Sequence, residues 1–429
     1  MINVDISNVW TCVSLPGLLG TEKEIFDAHN RLRNYGPEGP DFHAWLELPD
    51  SITSRLILGI RRRAEQICGN SDVLVVCGSG CAHEAARAAV SLYGGMERNL
   101  LSRPQVLFVG GSLSGRQWVE LGRLLEEKNY SLHIISDDGF DLGVNGTVRG
   151  LRWMMERKYG TKAKERISVA TVVGSPLHKM GQEEGYELFP MPMQLGGRDS
   201  ALTAAALIPM AVAGIDPLSV LEGAVETHRE LDIRSFENPA WLYAGIRGIL
   251  PGKGRPRELL CLFDHSLADF GRWWQRYIWR HECREGMGVS GETALLPGDL
   301  DALDAMLCSG GSNVFETLLH FDPITKKIPV EMDWKDYDGL GFLSGQNLDF
   351  VERHTMEALT QTHNDRGIPI LDIDGGELTA EAVGSLFCFF ELSSALTACS
   401  WGVEPFAQTD TATTAAAMEA MEAVAGDEI

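Results

Sequence analysis

The 429-residue chain sets 60 Asp and Glu against 37 Lys and Arg, for a formal net charge of −23 and a pI near 4.9. That balance argues against a nucleic-acid or anionic-membrane partner. Its 44% apolar and 23% charged residues fit a folded chain and exclude a disordered, collagen-like or disulfide-scaffold one; the length allows about two or three domains.

Residues 1–50 read as an N-terminal arm. The first ten carry Asp5 and no basic stretch, so no secretory leader is expected. From there, short apolar runs alternate with helical spacings. Val73–Cys77 is followed by Gly78, Gly80 and the Ala-rich 85–92. Val106–Val109 leads into 118–128, and Leu132–Ile135 into 146–159. Ser168–Val173 and Glu187–Met191 complete the series. Strand, Gly-containing turn, helix, strand is the pattern of a parallel sheet with crossover helices. It predicts a first α/β domain over 51–199.

Residues 200–235 read as a helical joint. Its apolar stretch Ala201–Ile215 is broken by Thr203, Pro209 and Gly214, and no run reaches the roughly 18 to 20 apolar residues that cross a membrane. The Pro- and Gly-rich 238–256 reads as an entry loop. A second α/β domain is expected over 236–405. Its strands are Leu259–Phe263, Phe315–Phe321 and Ile368–Ile373, and its helices 267–284, 348–361 and 379–396. Residues 406–429 read as a terminal helix with a frayed end.

Nine cysteines without a C-x-x-C pair are expected as buried free thiols in a reducing cytoplasm. Gly78-x-Gly80 lacks the third glycine of a dinucleotide loop, so no NAD and no other cofactor is expected. His83-Glu84 and His281-x-x-x-Glu285 have no further ligand at standard spacing. They read as surface polar residues, and no metal is expected.

Longer motifs lie in order along roughly residues 40–425. Gly196-Gly197-Arg198-Asp199-Ser200-Ala201-Leu202-Thr203 is the most specific. Lys158-Tyr159-Gly160, Glu183-Glu184-Gly185-Tyr186-Glu187 and Phe315-Glu316-Thr317 accompany it. So do Phe342-Leu343-Ser344-Gly345, Asp349-Phe350-Val351, the stretch from His363 to Pro369, Phe389-Phe390-Glu391, and Gly402-Val403 with Pro405-Phe406 and Gln408. Together they resemble the glucose-6-phosphate isomerase family in its shorter bacterial form. The resemblance implies two tandem sugar-isomerase (SIS-type) doubly wound α/β domains, with mainly parallel sheets and helices on both faces. It also implies a homodimer acting in glycolysis and gluconeogenesis.

Aldose–ketose isomerisation needs a base to carry a proton between C1 and C2, a ring-opening acid–base pair, a cation on the enediolate oxygen, and donors that hold the phosphate. The family's base is a Glu on a helix written W-W-x-Q-L-x-x-E. The ungapped match here runs from Trp273-Trp274 to Arg280, and arginine accepts no proton at a useful pH. Glu282 lies two residues on, roughly 200° around a helix. Asp301, in Asp299-Leu300-Asp301-Ala302, fills the place of the family's ring-opening His, and Ala415 that of its C-terminal Lys. The hydroxyl-rich phosphate loop becomes Ser136-Asp137-Asp138-Gly139-Phe140-Asp141, whose carboxylates repel a phosphate dianion. Gly80-Cys81-Ala82 stands where the family has Gly-Gly-Ser.

Candidate catalytic residues are therefore Arg198, Arg280, Glu282 and Asp301. Candidate substrate contacts are Ser136, Asp137, Asp138, Asp141, Arg198 and Gln408. Arg198 and Gln408 match family site residues, though Arg198 also fits a structural role at the joint. The acidic loop reads either as a solvated turn or as a pocket for a neutral or cationic group. Three functional readings stay open. One is a sugar-ligand-binding or regulatory paralogue without isomerase chemistry, homodimeric or paired with an intact family member. The second is an enzyme on another sugar-like substrate. The third is ordinary isomerisation through substitute residues. In the family the base and the ring-opening His meet across subunits, so Arg280 and Asp301 are expected to approach each other in a dimer.

Overall fold

The computed structural model describes residues 2–33, 52–112, 114–136, 142–191, 201–283, 288–308, 313–323, 326–405 and 412–427. Its described strands are β1 (Asn3–Asn8), β2 (Val73–Gly78), β3 (Gln105–Val109), β4 (Tyr130–Ile135), β5 (Ile167–Val172), β6 (Glu187–Met191), β7 (Arg257–Leu262), β8 (Ser290–Leu295), β9 (Val314–His320) and β10 (Ile370–Asp374). The chain divides into two compact units. The first comprises 33–222 and 404–429, the second 1–32 and 223–403.

The first unit holds a parallel sheet in the order β3-β2-β4-β5-β6. Every residue of β2 and β4 is buried, as in strands covered on both faces, and β4 carries the buried polar Ser131 and His133 among its apolar residues. One face packs Val73, Val75, Leu132, Ile134 and Val169 against Val148, Leu151 and Met155 of the helix Leu142–Tyr159. The helix Ala204–Val212, buried from Ala204 through Met210, packs on the helices Ser54–Asn70 and Gly80–Gly94. His133 fastens it to the sheet. Its Nδ1 accepts from the Ser168 hydroxyl at 2.9 Å and its Nε2 donates to the Ala205 carbonyl at 3.2 Å. Burial pushes its pKa down to about 3, so the ring is neutral.

The second unit repeats the plan. Its sheet runs β1-β10-β9-β7-β8, with β7 to β10 parallel and β1 antiparallel on β10. In chain order the parallel strands of the two sheets read 2-1-3-4-5 and 2-1-3-4, so each sheet is doubly wound about its first parallel strand. The N-terminal strand takes the fifth place in the second sheet.

Several segments depart from the sequence reading. Residues 3–8, assigned to an arm, form an edge strand. Residues 290–295, unassigned, form another. Their polar, half-exposed patterns hide them. The entry loop is largely the helix Pro239–Ile249. Asn238 caps it, accepting from the Ala240 N–H at 2.8 Å, and Pro239 occupies its first turn, which lacks a bonded N–H in any case. The division into units falls at Glu222/Gly223, inside the helix Pro217–Glu230. The helix Ala380–Ser400 is long and apolar enough to cross a membrane, which the sequence reading overlooked. Its apolar window is 94% buried in the protein, so it is accounted for as a core helix. Cys68 and Cys283 are exposed, against the expectation of buried thiols; Cys77, Cys81, Cys261, Cys388 and Cys399 meet it.

Candidate functional site

In each doubly wound sheet the strand order reverses at one point along the carboxyl edge. In such folds ligands bind there. In the first unit that point lies between β2 and β4, where Gly78 pairs with Ile135. Gly78-Ser79-Gly80 leaves β2 for the helix Gly80–Gly94, and Ser136 leaves β4. Gly80 has φ +81°, which an L side chain rarely adopts. A β-carbon on Gly110 would stand 2.6 Å from the Gly78 carbonyl, so a glycine is required where the chain after β3 crosses β2. Gly78–Gly80 and Ser136 thus leave neighbouring strands at the same edge of the sheet. Ser136 is buried, and its N–H donates to the Ala170 carbonyl at 3.2 Å. Asp137, Asp138 and Asp141 lie outside the described residues, as do Arg198 and Gln408. Ala415 is exposed on the helix Ala412–Asp427.

In the second unit, Arg280 sits in the last turn of the helix Ala268–His281 and is half-buried. Phe270, Trp273, Trp274, Tyr277 and Ile278 fill the inner face of that helix. Trp273 stacks edge-on against Phe387 at 4.7 Å between centroids. Arg280 occupies the other face, one turn beyond the exposed Arg276.

Glu282 does not continue that face. The helix ends at His281, and Glu282 turns into the core with no solvent exposure. Its Oε1 accepts from Arg247 Nη1 at 2.9 Å. Arg247 Nε donates to Glu258 Oε2 at 2.7 Å. Glu258 Oε1 accepts from the Tyr243 and Thr317 hydroxyls, each at 2.6 Å. Burial holds Glu282 above the usual carboxylate range, and Arg247 opposes the shift without reversing it. Arg247 remains charged: burial works against it, but two carboxylates overcome that. Arg247 Nη1 also donates to the Thr397 hydroxyl at 3.2 Å, so the network joins β7 and β9 to the helices Pro239–Ile249, Ala268–His281 and Ala380–Ser400.

Asp301 is exposed in the first turn of the helix Leu300–Cys308. One turn on, Asp304 ties that helix down. It accepts from Arg366 Nη1 at 2.7 Å and from His363 Nε2 at 3.1 Å. His363 Nδ1 contacts both oxygens of the fully buried Glu316 at 2.9 Å. Burial disfavours charge on His363, yet bonds to Glu316 and Asp304 raise its pKa. Asp304 is lowered, because bonds from Arg366 and His363 outweigh its own desolvation.

The carboxyl edge of the second sheet carries groups that sequence motifs gave no sign of. His320, at the end of β9, bonds Asp372 Oδ1 at 2.8 Å, which raises the histidine pKa against its burial. Asp264, just beyond β7, caps the turn His265–Leu267. His83, Glu84 and His281, expected on the surface, are buried. His83 packs edge-on to Phe108 at 5.3 Å and His281 stacks on Tyr277 at 4.2 Å. Among the described residues no three His, Cys, Asp or Glu side chains form a metal-binding group.

Comparison with known proteins follows the same lines. No protein-family model matches the chain. It is 32% identical over 413 residues to the glucose-6-phosphate isomerase of Fusobacterium nucleatum, covering 95% of this chain and 92% of that one. It is 33% identical over 388 residues to that of Bacillus cereus strain B4264, covering 89% and 86%. Among solved structures, a hypothetical protein from Thermus thermophilus superposes with a TM-score of 0.86 at 19% identity, over 98% of this chain and 99% of the other. A glucose-6-phosphate isomerase from Chlamydia trachomatis gives 0.79 at 15% identity, over 100% and 89%. Fold and sheet order define a tandem sugar-isomerase-type α/β protein. The chain belongs to the glucose-6-phosphate isomerase family.

Proposed function

We propose that the chain is a diverged member of this family that binds a sugar-like ligand or regulates a partner in the cytoplasm and does not perform the ordinary isomerase reaction. The observation that carries this reading is Arg280. The Trp273-Trp274 helix matches the family's base helix without a gap, and a guanidinium stands where the reaction requires a proton acceptor. Glu282, the nearest carboxylate in sequence, is committed to Arg247 in the core. Asp301, Ala415 and the acidic loop Asp137, Asp138 and Asp141 extend the same pattern of replacement. The reading includes self-association, or pairing with an intact family member, with Arg280 and Asp301 facing each other across subunits. No cofactor is part of it.

A second reading, isomerisation of glucose 6-phosphate and fructose 6-phosphate through substitute residues, has one specific support. The identity of 32% to named isomerases runs over 95% of the chain. A coupled assay for glucose 6-phosphate formation from fructose 6-phosphate separates the two. The first reading expects no turnover above background, whereas turnover near 10 s⁻¹, ordinary for an enzyme, overturns it. Titration calorimetry supplies an independent check. With three carboxylates in the phosphate loop, glucose 6-phosphate should bind no tighter than about 1 mM. Micromolar affinity would require Arg280 or Arg198 to hold the phosphate instead.

A further inference from the structure

The first turn of the helix Gly80–Gly94 holds a buried histidine whose ring nitrogens bond to nothing. His83 is 2% exposed, and neither Nδ1 nor Nε2 has a hydrogen-bond partner. The buried Glu84 keeps its Oε1 3.9 Å from Nδ1, beyond hydrogen-bonding reach. Phe108 meets the ring edge-on, with 5.3 Å between centroids. Buried polar groups are nearly always bonded, because a bare one has given up its hydration for no return. His133 in the same unit shows the ordinary outcome, with both of its nitrogens bonded.

The position of the ring says what kind of partner is missing. A β-carbon on Gly78 would stand 3.3 Å from His83 Cδ2 and 2.9 Å from the Ile135 carbonyl oxygen. The imidazole therefore lies against the ends of β2 and β4, at the reversal of strand order where doubly wound sheets take ligands. Helical side chains lean toward the helix N-terminus, so His83 leans toward the turn that begins at Gly80. Gly80 puts no side chain in that direction. Among the described residues, a β-carbon at Gly80 or Gly111 would meet nothing within 4 Å. The helix runs for 15 residues, and its first N–H groups add donors at the same place.

We propose that His83 is a ligand contact that selects the hydroxyl groups of an unphosphorylated sugar. A neutral imidazole presents one donor and one acceptor, and a sugar hydroxyl both donates and accepts. Charge argues against a phosphate. Glu84 sits beside the ring, and Asp137, Asp138 and Asp141 follow Ser136 in sequence at the neighbouring strand end. Arg87, one turn further along the helix, is engaged with β3. Its Nη2 donates to the Phe108 carbonyl at 3.3 Å, and its guanidinium lies 5.4 Å from the centre of the Phe108 ring. The inference rests on the proposed function and names the class of sugar that function takes.

The test follows the ring itself by nuclear magnetic resonance. Protein labelled with nitrogen-15 at histidine, with His83 assigned through its backbone, is titrated with D-glucose, D-fructose, D-mannose and D-galactose. Each is taken to about 100 mM, well above the millimolar Kd that a few hydroxyl bonds supply. At least one sugar should shift both His83 ring nitrogens along a saturating curve, and its 6-phosphate should bind at least about 10-fold more weakly. His83→Phe keeps an aromatic edge against Phe108 and removes both nitrogens. It should weaken binding of the free sugar by at least about 10-fold with the circular dichroism unchanged. If that variant does not fold, the titration of the unaltered protein decides alone. Three results overturn the proposal: His83 signals that stay still with every sugar, including where other histidines report a sugar bound elsewhere; a folded His83→Phe that binds as tightly as before; or a 6-phosphate that binds as tightly as the free sugar. Turnover of fructose 6-phosphate overturns the proposed function and this inference with it, whereas a still His83 in an inactive protein overturns this inference alone.

Discussion

Arg247 bridges two carboxylates in a part of the second unit that water does not reach. Replacing it by Met keeps the volume but strands Glu258 and Glu282, so Arg247→Met should cost about 3–5 kcal/mol, read by urea unfolding. A loss below about 1 kcal/mol would mean the carboxylates are already neutral. His363 makes a pH-dependent contribution. Its folded pKa is raised, so its stabilisation is complete below an unfolded value of about 6.5 and is lost as pH rises through the folded value. Asp304 is lowered, so its share is present at neutral pH and is lost only as pH falls through its folded value. The stability gap between the unaltered protein and His363→Gln should therefore be constant near pH 5–6 and shrink toward pH 9. A gap that does not change with pH would remove the charge from this account. Sequence shows His363 and Glu316 as motif members but not as partners, since 47 residues separate them. Glu282 likewise reads as a helix residue near a catalytic position. Only the end of the helix at His281 shows that it points inward.

At the scale of elements, the buried strands were plain in the sequence because a strand covered on both faces is a continuous apolar run. The edge strands were not. β8 reads Ser-Gly-Glu-Thr-Ala-Leu and β1 Asn-Val-Asp-Ile-Ser-Asn, and both have polar, partly exposed positions that local patterning cannot tell from loop. Helix contacts are also invisible locally. Gly223 looks like an ordinary weak point of the helix Pro217–Glu230, yet a β-carbon there would collide with the Glu381 carbonyl of the helix Ala380–Ser400. Ser385 Oγ donates to the Gly223 carbonyl at 3.1 Å across the same contact. Alanine normally improves a helix by about 1 kcal/mol over glycine. Here Gly223→Ala should instead destabilise by about 1–3 kcal/mol, measured by thermal or urea unfolding. A stabilised variant would show that the two helices separate freely.

At the scale of the molecule, two tandem α/β units with parallel sheets were legible from the alternation of strands and helices, their doubly wound form was implied by the resemblance, and their matching strand order is visible only in the structure. The N-terminal 32 residues belonging with 223–403 were not, because that pairing joins chain ends hundreds of residues apart. The candidate site was legible mainly through the resemblance: it rests on single residues set in matched flanks, and the structure adds that Gly78–Gly80 and Ser136 leave neighbouring strands at one edge of the first sheet. If the chain is inactive as proposed and the scaffold still builds the family's cleft, what the reaction lacks is groups and not architecture. Groups that act as a unit contribute non-additively. Arg280→Glu alone supplies a base with no phosphate anchor, and Asp301→His alone opens a ring that nothing deprotonates. The combination of Arg280→Glu, Asp301→His and Ala415→Lys with Asp137→Lys, Asp138→Ser and Asp141→Thr should give measurable fructose 6-phosphate to glucose 6-phosphate conversion. Each single change should stay at background. Activity from one substitution would mean that the remaining groups are already present in other residues. A folded but inert sixfold variant would mean that the backbone of the cleft, and not only its side chains, has moved away from the family's geometry.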